Sequence, residues 1–111
     1  MEGRVADMAA TAQVAIDALV AALRPQAIVW FGSAAAGRAG PNSDLDFLIV
    51  ADRQAGSRDD LFMDATRAVW NVPAPIDLLI YYADEVADFR HRMGNVVQQA
   101  VQHGRVVHGQ L

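Results

Sequence analysis

Ser43-Asp44-Leu45-Asp46-Phe47-Leu48-Ile49-Val50 opens on two carboxylates and continues as four consecutive apolar residues. An extended run that is apolar on both faces is what a strand in the middle of a sheet requires, so a strand is predicted over Asp44 to Val50. Side chains alternate along a strand, which sets Asp44 and Asp46 on one face, roughly 7 Å apart over two rises. Two carboxylates so placed repel each other unless a cation lies between them. Hard oxygen donors at that separation suit Mg²⁺, which keeps several waters and takes further oxygens from phosphates. In isolation Asp-x-Asp is an ordinary solvated strand end. Here the pair stands at the mouth of a buried strand, and that position favours a metal.

Upstream, Val5, Met8, Ala9, Ala12, Ile16, Leu19, Val20 and Leu23 recur at helical spacing and predict an amphipathic helix that Arg24-Pro25 stops. Ala27 to Phe31 is a β-rich run ending at Gly32, followed by a short segment, Ala34-Ala35-Ala36, before Gly37. Downstream, Ala51 to Gly56 is a loop, Ser57 is a helix N-cap, and Leu61 to Trp70 continues as helix. Pro73 and Pro75 end that helix and lead into a strand over Ile76 to Tyr82. Asp84 is expected to cap a helix towards Arg92, with Met93-Gly94-Asn95 as the break before a further helix over Val96 to His103. Gly104 terminates it, and Arg105 to His108 forms a short closing strand. The order is α-β-(short α)-β-α-β-α-α-β, read as one domain over residues 1–111 without repeat or linker.

Two further pieces of chemistry accompany the aspartate pair. At Gly32-Ser33 a strand turns into a short segment. Glycine there lets a phosphate approach the backbone, while the following amides and the serine hydroxyl can donate to it. Alone, Gly-Ser after a strand is usually only a turn. The second piece is Asp77, which interrupts an apolar strand, Ile76-Asp77-Leu78-Leu79-Ile80. A carboxylate inside a core needs a partner or a metal; at a sheet edge it would simply face water. Should this strand lie beside the one bearing Asp44 and Asp46, the three acids converge. They could then hold two metal ions, one activating an attacking hydroxyl and one gripping a triphosphate, with Asp77 also able to act as base.

Gly32-Ser33, ten intervening residues and Asp44-Leu45-Asp46 together resemble the motif of DNA polymerase β-like nucleotidyltransferases. The short chain and the third acid at Asp77 are similar to the minimal nucleotidyltransferase (MNT) group, and within it to the antitoxins of HEPN–MNT toxin–antitoxin pairs. The resemblance implies an α+β fold, a small mixed sheet flanked by helices with the site on its open face. It implies transfer of AMP from ATP with Mg²⁺ to a tyrosine hydroxyl of a HEPN-type toxin. Asp44, Asp46 and Asp77 would be the catalytic metal ligands, and Gly32, Ser33 and Ser43 would contact the nucleotide. Family members usually carry an arginine just before the glycine at position 37 and often another after the serine. This chain has Ala36 and Ala34 there, so Arg38 is the nearby cation left to assist. That departure keeps a second reading open, an antitoxin that works by binding its partner. A small-molecule transferase is a third, disfavoured because such enzymes usually add an acceptor domain.

Composition bounds these readings. A chain of 111 residues, 53% hydrophobic, can bury a modest core. Its net charge of −4, with arginine as the only basic residue besides histidine, lacks the footprint of a nucleic-acid binder. With no cysteine, thiolate zinc sites, disulfides and a cysteine nucleophile are excluded, which fits a reducing cytoplasm. Met8 to Leu23 is interrupted by Thr11, Gln13 and Asp17 and is too short to cross a bilayer, while Glu2 and Asp7 are wrong for a signal peptide. A cytoplasmic protein without membrane contact is expected. His91, His103 and His108 show no metal spacing. Trp30 and Trp70 are read as core or interface residues, Tyr81 and Tyr82 as packing residues, and Arg90 and Arg92 as a solvated helix face.

Overall fold

Apolar periodicity and chain breakers lay out the elements of the structure, a computed structural model that describes residues 4–38 and 43–111, with side chains from residue 8 onward. Glu2 and the side chains of Val5 and Asp7, invoked above, fall outside that description. Helix α1 (Arg4–Leu23) buries Ala12, Ala15, Ile16 and Leu19, one stripe at helical spacing. It ends at Arg24, whose φ of 46° leaves the helical region ahead of Pro25. Then follow β1 (Ala27–Phe31), α2 (Gly32–Ala35), β2 (Leu45–Ala51), a 3₁₀ turn at Arg53–Ala55, α3 (Arg58–Ala68) and β3 (Ile76–Tyr82). The chain closes with α4 (Ala83–Phe89), α5 (Val96–His103) and β4 (Arg105–Gly109).

The strands form one mixed sheet in the order β3-β2-β1-β4. Strand β1 runs antiparallel to both β2 and β4, whereas β2 and β3 are parallel and need the crossover that α3 provides. One face of the sheet carries Ile28, Trp30, Leu45, Phe47, Ile49 and Ile80 against α1 and α3. The other carries Ala27, Val29, Leu48 and Val50 against Val86 of α4 and Val97 and Ala100 of α5. Phe47, Leu48, Ile49 and Val50 are fully buried, as a central strand demands. Each such side chain contributes about 1.5–3 kcal/mol by leaving water. Among the described residues no helix is long and apolar enough to cross a membrane.

The predicted order of elements is the observed one; boundaries differ where side chains compete for backbone groups. Ser57 caps α3 as expected, accepting from the Asp60 amide at 3.1 Å, and the helix begins at Arg58. It stops at Ala68, which leaves Trp70 outside the core and 76% exposed; its packing role is not realised within this chain. Tyr82, not Asp84, is the N-cap of α4. The Glu85 carboxylate takes the Tyr82 amide at 2.9 Å, while Asp84 is drawn to Arg53 at 2.9 Å. Helix α4 ends at Phe89, ahead of the expected Arg92, and Asn95 caps α5 through the Gln98 amide at 2.8 Å. Tyr81 and Tyr82 do pack: Tyr81 meets Phe89 edge-on, and Tyr82 is buried with its hydroxyl on the Gly56 carbonyl at 2.8 Å.

Gly104 seats α5 against β1. A Cβ there would lie 2.5 Å from the Ala100 carbonyl oxygen, 2.8 Å from Val29 Cγ1 and 2.9 Å from Phe31 Cβ. The first of these is backbone and cannot swing aside. Gly104→Ala is therefore expected to destabilise the fold by about 1–3 kcal/mol, the usual cost of overpacking. Urea unfolding measures it, and a midpoint equal to the wild type would contradict this tight seat.

Candidate functional site

Parallel pairing of β2 with β3 sets Asp46 directly opposite Asp77. Both project from the face that carries Leu48, Val50 and Leu79, by the alternation along each strand. Asp44 sits one residue before β2 begins, and its carboxylate reaches the same place. One oxygen from each of Asp44, Asp46 and Asp77 lies within 4.8 Å of the others. Asp77 does not interrupt the core: β3 is an edge strand and its carboxylate is exposed, as is that of Asp44, while Asp46 is half-buried. Exposure explains how the apolar strand tolerates the acid, and the register explains why the acid nevertheless joins a cluster.

The cluster is electrostatically strained without a cation. Partial burial first, then the hydrogen bond and charge of Asp77, then the charge of Asp44, push the Asp46 carboxyl up from 3.8 to about 6. An acid whose ionisation is opposed by two neighbouring acids fits a divalent cation bound through oxygen, because the cation removes the opposition. The donor set, three carboxylates and no nitrogen or sulfur, suits Mg²⁺ over softer metals.

Gly32 completes the cradle. It has a φ of +86°, and a Cβ there would come within 2.1 Å of Asp46 Oδ2. Only glycine lets the carboxylate lean against the turn that begins α2. Phe31, the N-cap of α2, provides no side-chain hydrogen bond to the first amides of this short helix. Gly32 and Ser33 are exposed there. The Arg38 amide donates to the Ser33 carbonyl at 2.8 Å, which folds Arg38 back onto the glycine–serine turn. Ser43, half-buried, immediately precedes Asp44. The four residues between Arg38 and Ser43 lie outside the described residues.

Beside Asp46 and Asp77 opens a cavity of about 500 Å³ with a largely apolar lining that includes Phe31, Phe62, Thr66 and Val96. Residue-by-residue reading of the sequence missed Phe62, Thr66 and Val96. The signal was faint: Phe62 and Thr66 are four apart on α3, on a helix face different from that of buried Leu61 and Ala65.

The sheet thus presents, on adjacent strands, an acid trio beside a glycine–serine turn, a donor set that could hold a metal ion. The chain belongs to the family described as "Polymerase beta, Nucleotidyltransferase", whose model matches residues 15–110. It is also similar to a solved chain from a structure titled "Crystal structure of the toxin-antitoxin with AMP-PNP". That similarity has a TM-score of 0.52 and 26% sequence identity, and it covers 86% of this chain and 72% of the other. No curated protein sequence matches.

Charge strain at Asp46 has a pH signature. The folded protein holds the Asp46 proton up to about pH 6, against 3.8 for an ordinary aspartate, so between those values it binds more proton than the unfolded chain does. The contribution of Asp46 to the stability of the metal-free protein is greatest below this window and is lost as pH rises through it. Asp46→Asn should be more stable than wild type at neutral pH in EDTA and should lose the advantage on acidification. Urea midpoints across pH read this out; a variant less stable than wild type at neutral pH would show Asp46 to be structural.

Proposed function

We propose that this protein is an antitoxin that transfers AMP from Mg-ATP to a tyrosine hydroxyl of a HEPN-type toxin. The observation that carries the reading is the opposition of Asp46 and Asp77 across β2 and β3, which gathers three carboxylates beside the uncapped turn at Gly32. Family membership supports nucleotidyl transfer. The likeness to a chain of a toxin–antitoxin structure crystallised with AMP-PNP supports an adenine nucleotide and a protein partner.

Asp44, Asp46 and Asp77 would hold Mg²⁺, which supplies charge neutralisation for the triphosphate and lowers the pKa of an attacking hydroxyl. Asp77, exposed at the edge, takes the proton from the acceptor hydroxyl. The acceptor oxygen forms its bond to the α-phosphorus, the bond from that phosphorus to the bridging oxygen breaks, and pyrophosphate leaves with the electron pair. The amides at Gly32 and Ser33, the hydroxyls of Ser33 and Ser43 and the guanidinium of Arg38 orient the triphosphate. The acid trio also accounts for a requirement for metal, since three carboxylates repel a bare triphosphate.

A second reading, an antitoxin that acts by contact alone, is favoured by Ala34 and Ala36. Neither residue offers a cation, and Ala34 is buried, lining a cavity of about 350 Å³ with Ala36 and Trp30. The phosphate contacts are correspondingly fewer.

Calorimetry separates metal-dependent from adventitious binding: ATP should bind with Mg²⁺ or Mn²⁺ and fail to bind in EDTA. Equal affinity in both conditions would remove the metal-site reading. Intact mass spectrometry of a cognate HEPN partner after incubation with Mg-ATP should show added AMP with wild type and none with Asp77→Ala. Arg38→Ala should slow the transfer by about ten- to a hundredfold, the worth of one charge-assisted contact. A wild type that adds nothing yet still suppresses the toxin would establish the contact reading.

A further inference from the structure

The free edge of β3 runs away from Asp77, and its backbone is open to pairing. In the parallel ladder the Leu45 amide donates to the Pro75 carbonyl at 2.9 Å, and the pairing then alternates, so that Pro75, Asp77, Leu79 and Tyr81 turn their backbone groups to β2. Ile76, Leu78 and Ile80 turn theirs outward. Arg58 confirms the phase by donating to the Ile80 carbonyl at 3.0 Å. No strand of the described chain pairs with this edge. Long apolar edge strands invite pairing and are normally blunted by charge, proline or a bulge. Here Arg58 covers the far end and Pro75 precedes the near end, while between them the backbone of Ile76 and Leu78 beside Asp77 is left open.

A groove follows the edge. The cavity at Asp46 and Asp77 continues into a second one of about 300 Å³ lined by Arg58, Asp59 and Tyr81, the two sharing Phe62, Leu78 and Leu79. Its floor is apolar and its rim acidic, with Asp46 and Asp77 at one end and Asp59 at the other. Arg58, the one cation lining it among the described residues, is engaged by Glu85 at 2.8 Å and by the Ile80 carbonyl. A second copy of this chain would bring another acidic rim against the first, so like charges oppose self-pairing. The complementary occupant is a basic one.

We propose that the β3 edge docks an extended segment of the acceptor protein as a fifth strand. The segment is apolar at alternate positions, flanked by basic residues, and carries its acceptor hydroxyl beside Asp77. The inference rests on the protein-acceptor reading above and specifies how the acceptor is presented. Adjacent strands lie about 4.8 Å apart, and side chains of paired residues share a face. A residue of the docked segment paired beside Asp77 therefore presents its side chain to the acid trio. Main-chain bonds to Ile76 and Leu78, at the end that Arg58 leaves open, give affinity, and the contact with Phe62, 44% exposed on α3, selects an apolar neighbour.

The test uses the whole protein and a short synthetic peptide alternating valine and threonine, with a central tyrosine and arginine at both ends. Bound peptide should slow amide hydrogen exchange at Ile76 and Leu78. A glutamate-ended counterpart, a peptide N-methylated at alternate positions, and the Phe62→Glu variant should each weaken binding at least about tenfold. Protection elsewhere, equal binding of the N-methylated peptide, or no binding overturns the proposal. So does protection of Ile76 and Leu78 that rises with protein concentration alone, because a second copy then occupies the edge. Calorimetry of Mg-ATP on the same wild-type samples keeps the two readings apart. Intact Mg-ATP binding without peptide binding sinks only the docking groove, and peptide binding without Mg-ATP binding sinks only the transferase.

Discussion

The parallel ladder between β2 and β3 is the constraint on which the rest of this molecule depends. Its register places Asp46 opposite Asp77, and a slip of one residue would turn Asp77 to the other face of the sheet. What holds the register is burial on both sides of β2. Phe47 and Ile49 are locked against α1 and α3, and Leu48 and Val50 against α4 and α5. Hydrophobic packing, which is non-directional, acquires direction here through strand alternation, and the acids are positioned as a by-product of where their apolar neighbours must go.

That arrangement stores electrostatic free energy. Three carboxylates with oxygens within 4.8 Å of one another are costly in the metal-free protein, and the raised Asp46 carboxyl is the sign of that cost. The strain is tolerable because Asp44 and Asp77 are exposed, so water screens much of the repulsion, and only Asp46 is held in partial burial against Gly32. A divalent cation converts the repulsion into coordination.

The opposite end of β3 is built for rigidity. Arg53 pairs with Asp84 and lies 4.5 Å over the Tyr82 ring, and Arg58 bridges Glu85 and the Ile80 carbonyl. These ion pairs are largely exposed and individually worth little. Their joint effect is to fix where β3 ends and α4 begins, which anchors the edge strand at one end and leaves the end near Asp77 accessible. The asymmetry follows from charge placement: the arginines of this region lie at one end of the strand and the acid trio at the other.

Much of this was legible in the amino-acid order. The apolar run Phe47 to Val50 announced a central strand, helical periodicity announced α1, and Gly32-Ser33 with Asp44-Leu45-Asp46 announced the chemistry, because local pattern and backbone preference agree there. Other features were not legible, since they depend on which partner wins a backbone group or which strand lies beside which. Tyr82 rather than Asp84 caps α4 because Arg53, distant in sequence, claims Asp84. Trp70 is exposed because α3 ends before it. By itself the sequence determined the strands, the helices and the residue types available for metal and phosphate. Only the tertiary structure decided that β3 lies at the edge and parallel to β2, turning Asp77 from a solvated acid into the third member of a cluster. Strand order and register are set by the summed burial of both sheet faces, a property of the whole packed chain that no local stretch contains.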